Sequence, residues 1–279
     1  MIDLHLHTTA SDGRSSPADL VGHAVRAGLS VISVVDHDTT AALDEVSRLA
    51  EPAGLRWVPG IEITAVCGET DVHVLGYHID VGSTALQRFL GEQRRNRVER
   101  VRAMLARLTS LGLAIGFDTV NEPVDGRTPH AIGRPQVARA MVRAGCVADV
   151  REAFDRYLSE GQPAYVPRVG ATPEEVVRLI ARCDGIASLA HPALLERDDL
   201  VSGLAAAGMQ AIEVYHPDHA EADVARYRQL AREHGLAVTG GSDFHGETSH
   251  GAPALGRVVL PPEDFARFDA LPRGEGAPP

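Results

Sequence analysis

Short apolar runs and longer amphipathic stretches take turns along this chain. The runs predict strands at Ile2–Leu6, Val31–Val35, Trp57–Ile63, Val72–Tyr77, Gly185–Ala190, Ala211–Tyr215 and Ala237–Gly240. The stretches between them predict helices at Pro17–Ala27, Thr40–Ala53, Thr172–Arg182, Leu200–Ala207 and Ala220–Gly235. Two of these carry start signals. Ser16-Pro17 sets an N-cap before proline, and Thr172-Pro173-Glu174-Glu175 forms a capping box. Alternating strands and helices predict an α/β fold with a parallel sheet, open or closed.

Residues 83–165 break this rhythm. Thr84–Leu111 reads as one long helix, and Arg134–Ala144 and Val147–Leu158 as shorter ones, with loops around Glu122–Gly126 and Gly161–Pro163. The expectation is a discontinuous β/α scaffold over 1–82 and 166–271, a helical insert over 83–165, and a disordered tail over 272–279.

Composition narrows the class. The 279 residues are 44% hydrophobic and 23% charged, as in ordinary globular proteins. Net charge is −11, and all 27 basic residues are Arg. Without lysine, Schiff-base chemistry and a P-loop lysine are excluded. The insert differs from its surroundings: Glu92 to Arg143 holds ten Arg against five acids, leaving −16 on the remaining chain. Such a segment is either a solvated basic face or an anion-binding lid. Cys67, Cys146 and Cys183 lie far apart, so a disulfide framework is not expected. No apolar run reaches membrane-spanning length, and the N-terminus has no apolar signal region. The expected location is the cytoplasm, with no membrane and no stable protein partner.

The chemistry gathers at strand ends. His5 and His7 are two apart on the first strand, so period-two alternation puts them on one face. Asp12 follows in TTASDG, His37 stands in Asp36-His37-Asp38, Glu62 in Gly60-Ile61-Glu62 and His73 in Asp71-Val72-His73. His191 lies in Ala190-His191-Pro192, and Asp243 and His245 in Ser242–Gly246. Strand C-terminal ends of such sheets form one rim, where these groups would converge. Imidazole and carboxylate together are the donor set of Zn, Mn and Fe sites.

The motifs DLHLHTTASDG, DHDT, GIEIT, DVHVLGY, AHP and SDFHG, in this order, closely resemble the polymerase-and-histidinol-phosphatase (PHP) family of metal-dependent phosphoesterases. The resemblance implies a distorted (β/α)7 barrel and two or three divalent ions, Mn2+ first, with Zn2+ or Fe2+ as alternatives. It implies one ion held by His5, His7, Glu62 and Asp243, and a second by His73 and His191 with Glu62 bridging. A third would take Asp12, His37 and His245.

The insert, with AIGRP and EAFDRYLSEGQPAYVP, is similar to the branch of 3′,5′-nucleotide bisphosphate phosphatases and 5′→3′ exoribonucleases. The substrate implied is a nucleotide or a short oligoribonucleotide. The rivals are a histidinol-phosphate-type phosphatase and a metal-binding domain without turnover. The family's histidinol-phosphate phosphatases commonly have His where this chain has Asp12.

Asp243 is the candidate for proton transfer. Arg134 and Arg97 are candidates for phosphate contact, since guanidinium forks suit phosphate. His216, after the sixth strand, is a candidate for substrate contact or leaving-group protonation. His78, His130, His219 and His250 match no motif and are expected to be structural.

Overall fold

In a computed structural model, which describes residues 1–68, 70–122, 132–246 and 255–273, the predicted strands join one seven-stranded sheet in the order β1 to β7. They are β1 (Ile2–Leu6), β2 (Val31–Val34), β3 (Arg56–Cys67), β4 (Thr70–Tyr77), β5 (Ile186–Leu189), β6 (Ala211–Tyr215) and β7 (Ala237–Gly240). The sheet's two edges approach just past β1 and β7. Leu6 bridges Phe244, and the His7 N–H donates to the Phe244 carbonyl at 3.0 Å. The sheet is therefore a nearly closed barrel.

The helices are α1 (Pro17–Arg26), α2 (Leu43–Ala50), α3 (Thr84–Ser110), α4 (Phe117–Val120), α5 (Arg134–Arg143), α6 (Val150–Ala153), α7 (Pro173–Arg182), α8 (Pro192–Leu195), α9 (Asp199–Ala206), α10 (Glu221–Glu233) and α11 (Pro262–Asp269). Both predicted caps form. The Ser16 side chain accepts from the Asp19 N–H, and Thr172 and Glu175 close a reciprocal capping box. The stretch Val147–Leu158 divides into α6 and a π-helical turn, Phe154–Leu158, where the Ser159 N–H reaches back to the Phe154 carbonyl. Helices α4, α8 and α11 have no counterpart among the predicted elements.

The all-parallel expectation is corrected. β3 pairs antiparallel with β4, and β4 antiparallel with β5; the other pairings are parallel. Only residues 68 and 69 separate β3 from β4, and two residues can close a hairpin but not a crossover. β3 also runs on to Cys67, so Glu62 sits inside a strand rather than at its end.

The chain divides into two compact units: Met1–Arg88 with Ala171–Pro279, and Phe89–Gly170. The first contains the barrel. β1, β2 and β5 are buried along their whole length. In β1, Ile2, Leu4 and Leu6 alternate with Asp3 and His5, so the apolar residues share one face and the polar ones the other. The second unit has its own core, including Val101, Met104, Leu108, Val137, Met141 and Leu158. Among the described residues, no helix is long and apolar enough to cross a membrane. His130, His250, residues 123–126 of the predicted loop and residues 274–279 of the predicted tail lie outside the described residues.

Candidate metal centre

The barrel's polar face supplies the centre. His5 and His7 continue the β1 alternation, and both are fully buried. The chain after β2 is clamped onto β3. His37 bridges Glu62, the Asp38 N–H donates to the Glu62 carbonyl at 2.9 Å, and Asp38 Oδ1 accepts from the Thr64 N–H at 2.9 Å. The antiparallel register then sets His73 opposite Thr64, beside Glu62. His191 and Asp243 adopt positive φ angles, 26° and 48°, which side-chain-bearing residues rarely do.

The end of β7 packs too closely for side chains at Gly240 and Gly241. A Cβ on Gly241 would lie 2.4 Å from the His5 nitrogen and 2.6 Å from Asp3 Oδ1, and one on Gly240 would lie 2.6 Å from Tyr215 Cβ. They let β7 approach β1 and β6 closely, and Asp243 itself takes the left-handed turn.

Glu62 is the hub. Its Oε1 faces His73 Nδ1 at 2.9 Å and His191 Nε2 at 3.2 Å. Its Oε2 faces His5 Nε2 and His7 Nε2 at 3.3 Å each, and His37 Nδ1 at 3.2 Å. Asp243 Oδ1 lies 3.3 Å from His5 Nε2 and 3.1 Å from His7 Nε2. His245 Nε2 lies 3.2 Å from Asp12 Oδ1, and His37 Nε2 lies 3.7 Å from Asp12 Oδ2. The structure thus brings all nine predicted ligands together.

Among the described residues, three groupings have donor atoms close enough to share an ion: His5, His7 and Asp243; His37, Glu62 and His73; and His7, Asp12, His37 and His245. His7 and His37 each serve two groupings, so the donors mix more than three separate sets would.

These residues fit divalent ions. Among the described residues, the buried nitrogens of His7, and Nδ1 of His37 and of His73, find no hydrogen-bond partner although carboxylate oxygens stand nearby. Buried polar atoms are normally satisfied. Lone pairs that converge without hydrogen-bond alignment suit a shared cation.

The electrostatics agree. Burial would raise the Glu62 carboxyl, but His37, His73 and His5 hold it well below the usual range. Burial would likewise raise Asp243, and His5 and His7 lower it. Burial disfavours charge on His7, yet Asp243 and Glu62 raise it to about 10. His37 is instead pushed down to about 4 by burial and by His7 and His73 beside it. Protons alone cannot settle such a cluster evenly.

A third carboxylate holds the loop of Asp12. Asp36 accepts from the Thr8 N–H at 2.8 Å, the Thr8 hydroxyl at 2.6 Å and the Ser11 hydroxyl at 2.6 Å. Asp36 and Asp38 therefore fix the chain on either side of His37 by gripping neighbouring segments.

His216 is nearly buried, and its Nε2 lies 3.3 Å from Asp243 Oδ2. Its Nδ1 accepts from the Asp218 N–H at 3.2 Å, so the ring proton sits on Nε2 and points at Asp243. Arg97 and Arg134 lie in the second unit. Arg134 is the first residue of α5, as expected, after the Gly133 cap and with Pro135 in the first turn. Its guanidinium lies over the rings of Phe154 and Tyr165, 6.0 and 5.7 Å from their centroids.

The PHP domain model matches residues 3–159. A 3′,5′-nucleoside bisphosphate phosphatase of Chromobacterium violaceum is 35% identical over 94% of this chain and 93% of its own length. This chain belongs to the PHP family. The 5′–3′ exoribonuclease Rnm of Salmonella typhimurium is 33% identical over 87% of this chain and 84% of its own. A crystal structure from Bifidobacterium adolescentis, assigned as a metal-dependent phosphoesterase, superposes with a TM-score of 0.80 at 31% identity. It covers 95% of this chain, which covers 94% of it.

Two buried acids of this PHP-family chain escaped the sequence reading. Asp3 Oδ1 accepts from the His5 and Ser242 N–H groups at 3.2 and 3.0 Å, tying β1 to the segment that carries Asp243. Burial raises its carboxyl to about 6. Glu213, midway along β6, accepts from His5 Nδ1 and from the His191 N–H. The available signal was an acid inside a short apolar strand, as in IDLHL and AIEVY.

Proposed function

We propose that this PHP protein is a cytoplasmic, divalent-metal-dependent phosphoesterase acting on nucleotides. Its substrates are 3′,5′-bisphosphorylated nucleosides or the 5′ ends of short RNA. The observation that carries the reading is Glu62, one carboxylate facing five imidazoles from both of its oxygens. The similarity to the bisphosphate phosphatase and the exoribonuclease, over most of each chain, supports the substrate class.

Phosphate monoester hydrolysis is among the slowest uncatalysed reactions and needs accelerations up to about 10²¹. We assign two or three ions, Mn2+ foremost, to His5, His7, Asp12, His37, Glu62, His73, His191, Asp243 and His245. Bound there, they would supply an activated water and offset the charge on phosphoryl oxygens. An acidic chain could then accept an anionic substrate.

The chain's own residues set the geometry. Asp243 presents Oδ1 to His5 and His7, while Oδ2 accepts from His216 Nε2–H. His216, being buried, acts on Asp243 by orienting the carboxylate and holding a proton at Nε2. In the second unit, Arg134 and Arg97 are the proposed contacts for a phosphate that is not cleaved, since guanidinium forks suit phosphate oxygens.

The test of substrate class is phosphate release across a nucleoside 3′,5′-bisphosphate, AMP, short 5′-phosphorylated RNA and histidinol phosphate. The bisphosphate and the RNA should lead. Preference for histidinol phosphate would contradict the reading.

A further inference from the structure

We infer that Glu213 is a positioning residue that couples the two halves of the metal cluster, by fixing the donor atom of His5 and the backbone of His191 together. The inference rests on the proposed metal centre and concerns a residue outside the ligand set.

Glu213 is fully buried, and its two oxygens take different partners. Oε1 lies 2.9 Å from His5 Nδ1, and Oε2 accepts from the His191 N–H at 2.7 Å. A carboxylate only accepts, so His5 Nδ1 must carry a proton. The lone pair of His5 is then confined to Nε2, which faces Glu62 Oε2 and Asp243 Oδ1 at 3.3 Å each. A hydrogen bond to the far nitrogen of a ligating ring sets both its tautomer and its orientation.

The second oxygen secures a strained backbone. His191 has φ 26° and ψ 57°. The bond to Glu213 helps hold this conformation, which aims His191 Nε2 at Glu62 Oε1, 3.2 Å away. His5 and His191 thus sit on opposite oxygens of Glu62, and one buried acid braces both.

Glutamine cannot repeat this. The His5 Nδ1–H and the His191 N–H are both donors, while Gln offers one acceptor oxygen and an NH2 group. One partner must lose its acceptor and meet a donor instead.

The test has two arms on the metal-loaded protein. In the first, Glu213→Gln and Asp12→Ala are titrated with Zn2+ and dialysed for elemental analysis, with circular dichroism as the check on folding. Glu213→Gln should weaken two ions together, by about 10- to 100-fold. Asp12→Ala should weaken only one. A folded Glu213→Gln protein that loses affinity for a single ion, or for none, overturns the inference.

The second arm does not depend on Glu213→Gln folding. In 15N-histidine spectra of the Zn2+-loaded wild type, assigned with His5→Gln, His5 should show a protonated Nδ1 and a coordinated Nε2. Coordination through Nδ1 overturns the inference even if Glu213→Gln fails to fold. A wild type that binds no metal would instead defeat the proposed function itself, which separates the two failures.

Discussion

Glu62 shows how one side chain can organise a site. With His73 and His191 on one oxygen and His5, His7 and His37 on the other, it faces imidazoles that belong to all three groupings. Glu62→Ala should therefore lower bound metal by more than one equivalent in elemental analysis, and loss of a single equivalent would refute its bridging role. Asp12→Ala should release only the ion shared with His37 and His245, because Asp12 is half-exposed and the imidazoles it faces are those two and, farther off at 3.9 Å, His7. The nine candidate ligands were legible because imidazoles and carboxylates stood out against apolar strands in a recognisable order. Glu213 and Asp3 were not. Their partners are a ring nitrogen and backbone N–H groups, which only the folded chain brings within reach.

At the scale of elements, strand existence was legible and strand direction was not. Strands buried on both faces read as continuous apolar runs whichever way they point. Only the two-residue connection after Cys67 betrays the hairpin, and that hairpin puts His73 beside Glu62. The close approach at β7 was equally hidden, because a glycine's neighbours are not written beside it.

Gly241→Ala should cost about 1–3 kcal/mol by overpacking, read as a lowered denaturation midpoint. An unchanged midpoint would show that β7 and β1 have more room than 2.4 Å implies. The end of β4 offers a pH test. His78 packs on Phe268 and is pushed down to about 4 by burial and by Arg273 and Arg56, against the pull of Asp269. A histidine lowered in the folded state contributes stability that is whole above about 6.5 and is lost as pH falls through about 4. His78→Asn, which tolerates the φ of 55°, should lose less stability between those pH values than the wild type. Urea midpoints of the two metal-free proteins would show it, and parallel losses would refute it.

Across the whole molecule, the Arg-rich stretch falls in the second unit, which has an apolar core of its own. Its chemistry can be tested with Arg134. A charge-assisted hydrogen bond is worth roughly 1.5–3 kcal/mol, so Arg134→Ala should cut kcat/KM about 10- to 150-fold on a bisphosphate. The loss should be smaller on a monophosphate, and Arg151→Ala, a highly exposed arginine of the same unit, should change neither. Equal losses on both substrates would leave Arg134 without a phosphate of its own.

The central claim is that the imidazole–carboxylate cluster around Glu62 acts through divalent metal. It is tested most directly by phosphate release from a nucleoside 3′,5′-bisphosphate, before and after Mn2+ is returned to metal-stripped protein. The stripped protein should show no turnover and should recover it on adding Mn2+. Full turnover by protein that elemental analysis shows to be free of metal would contradict the claim.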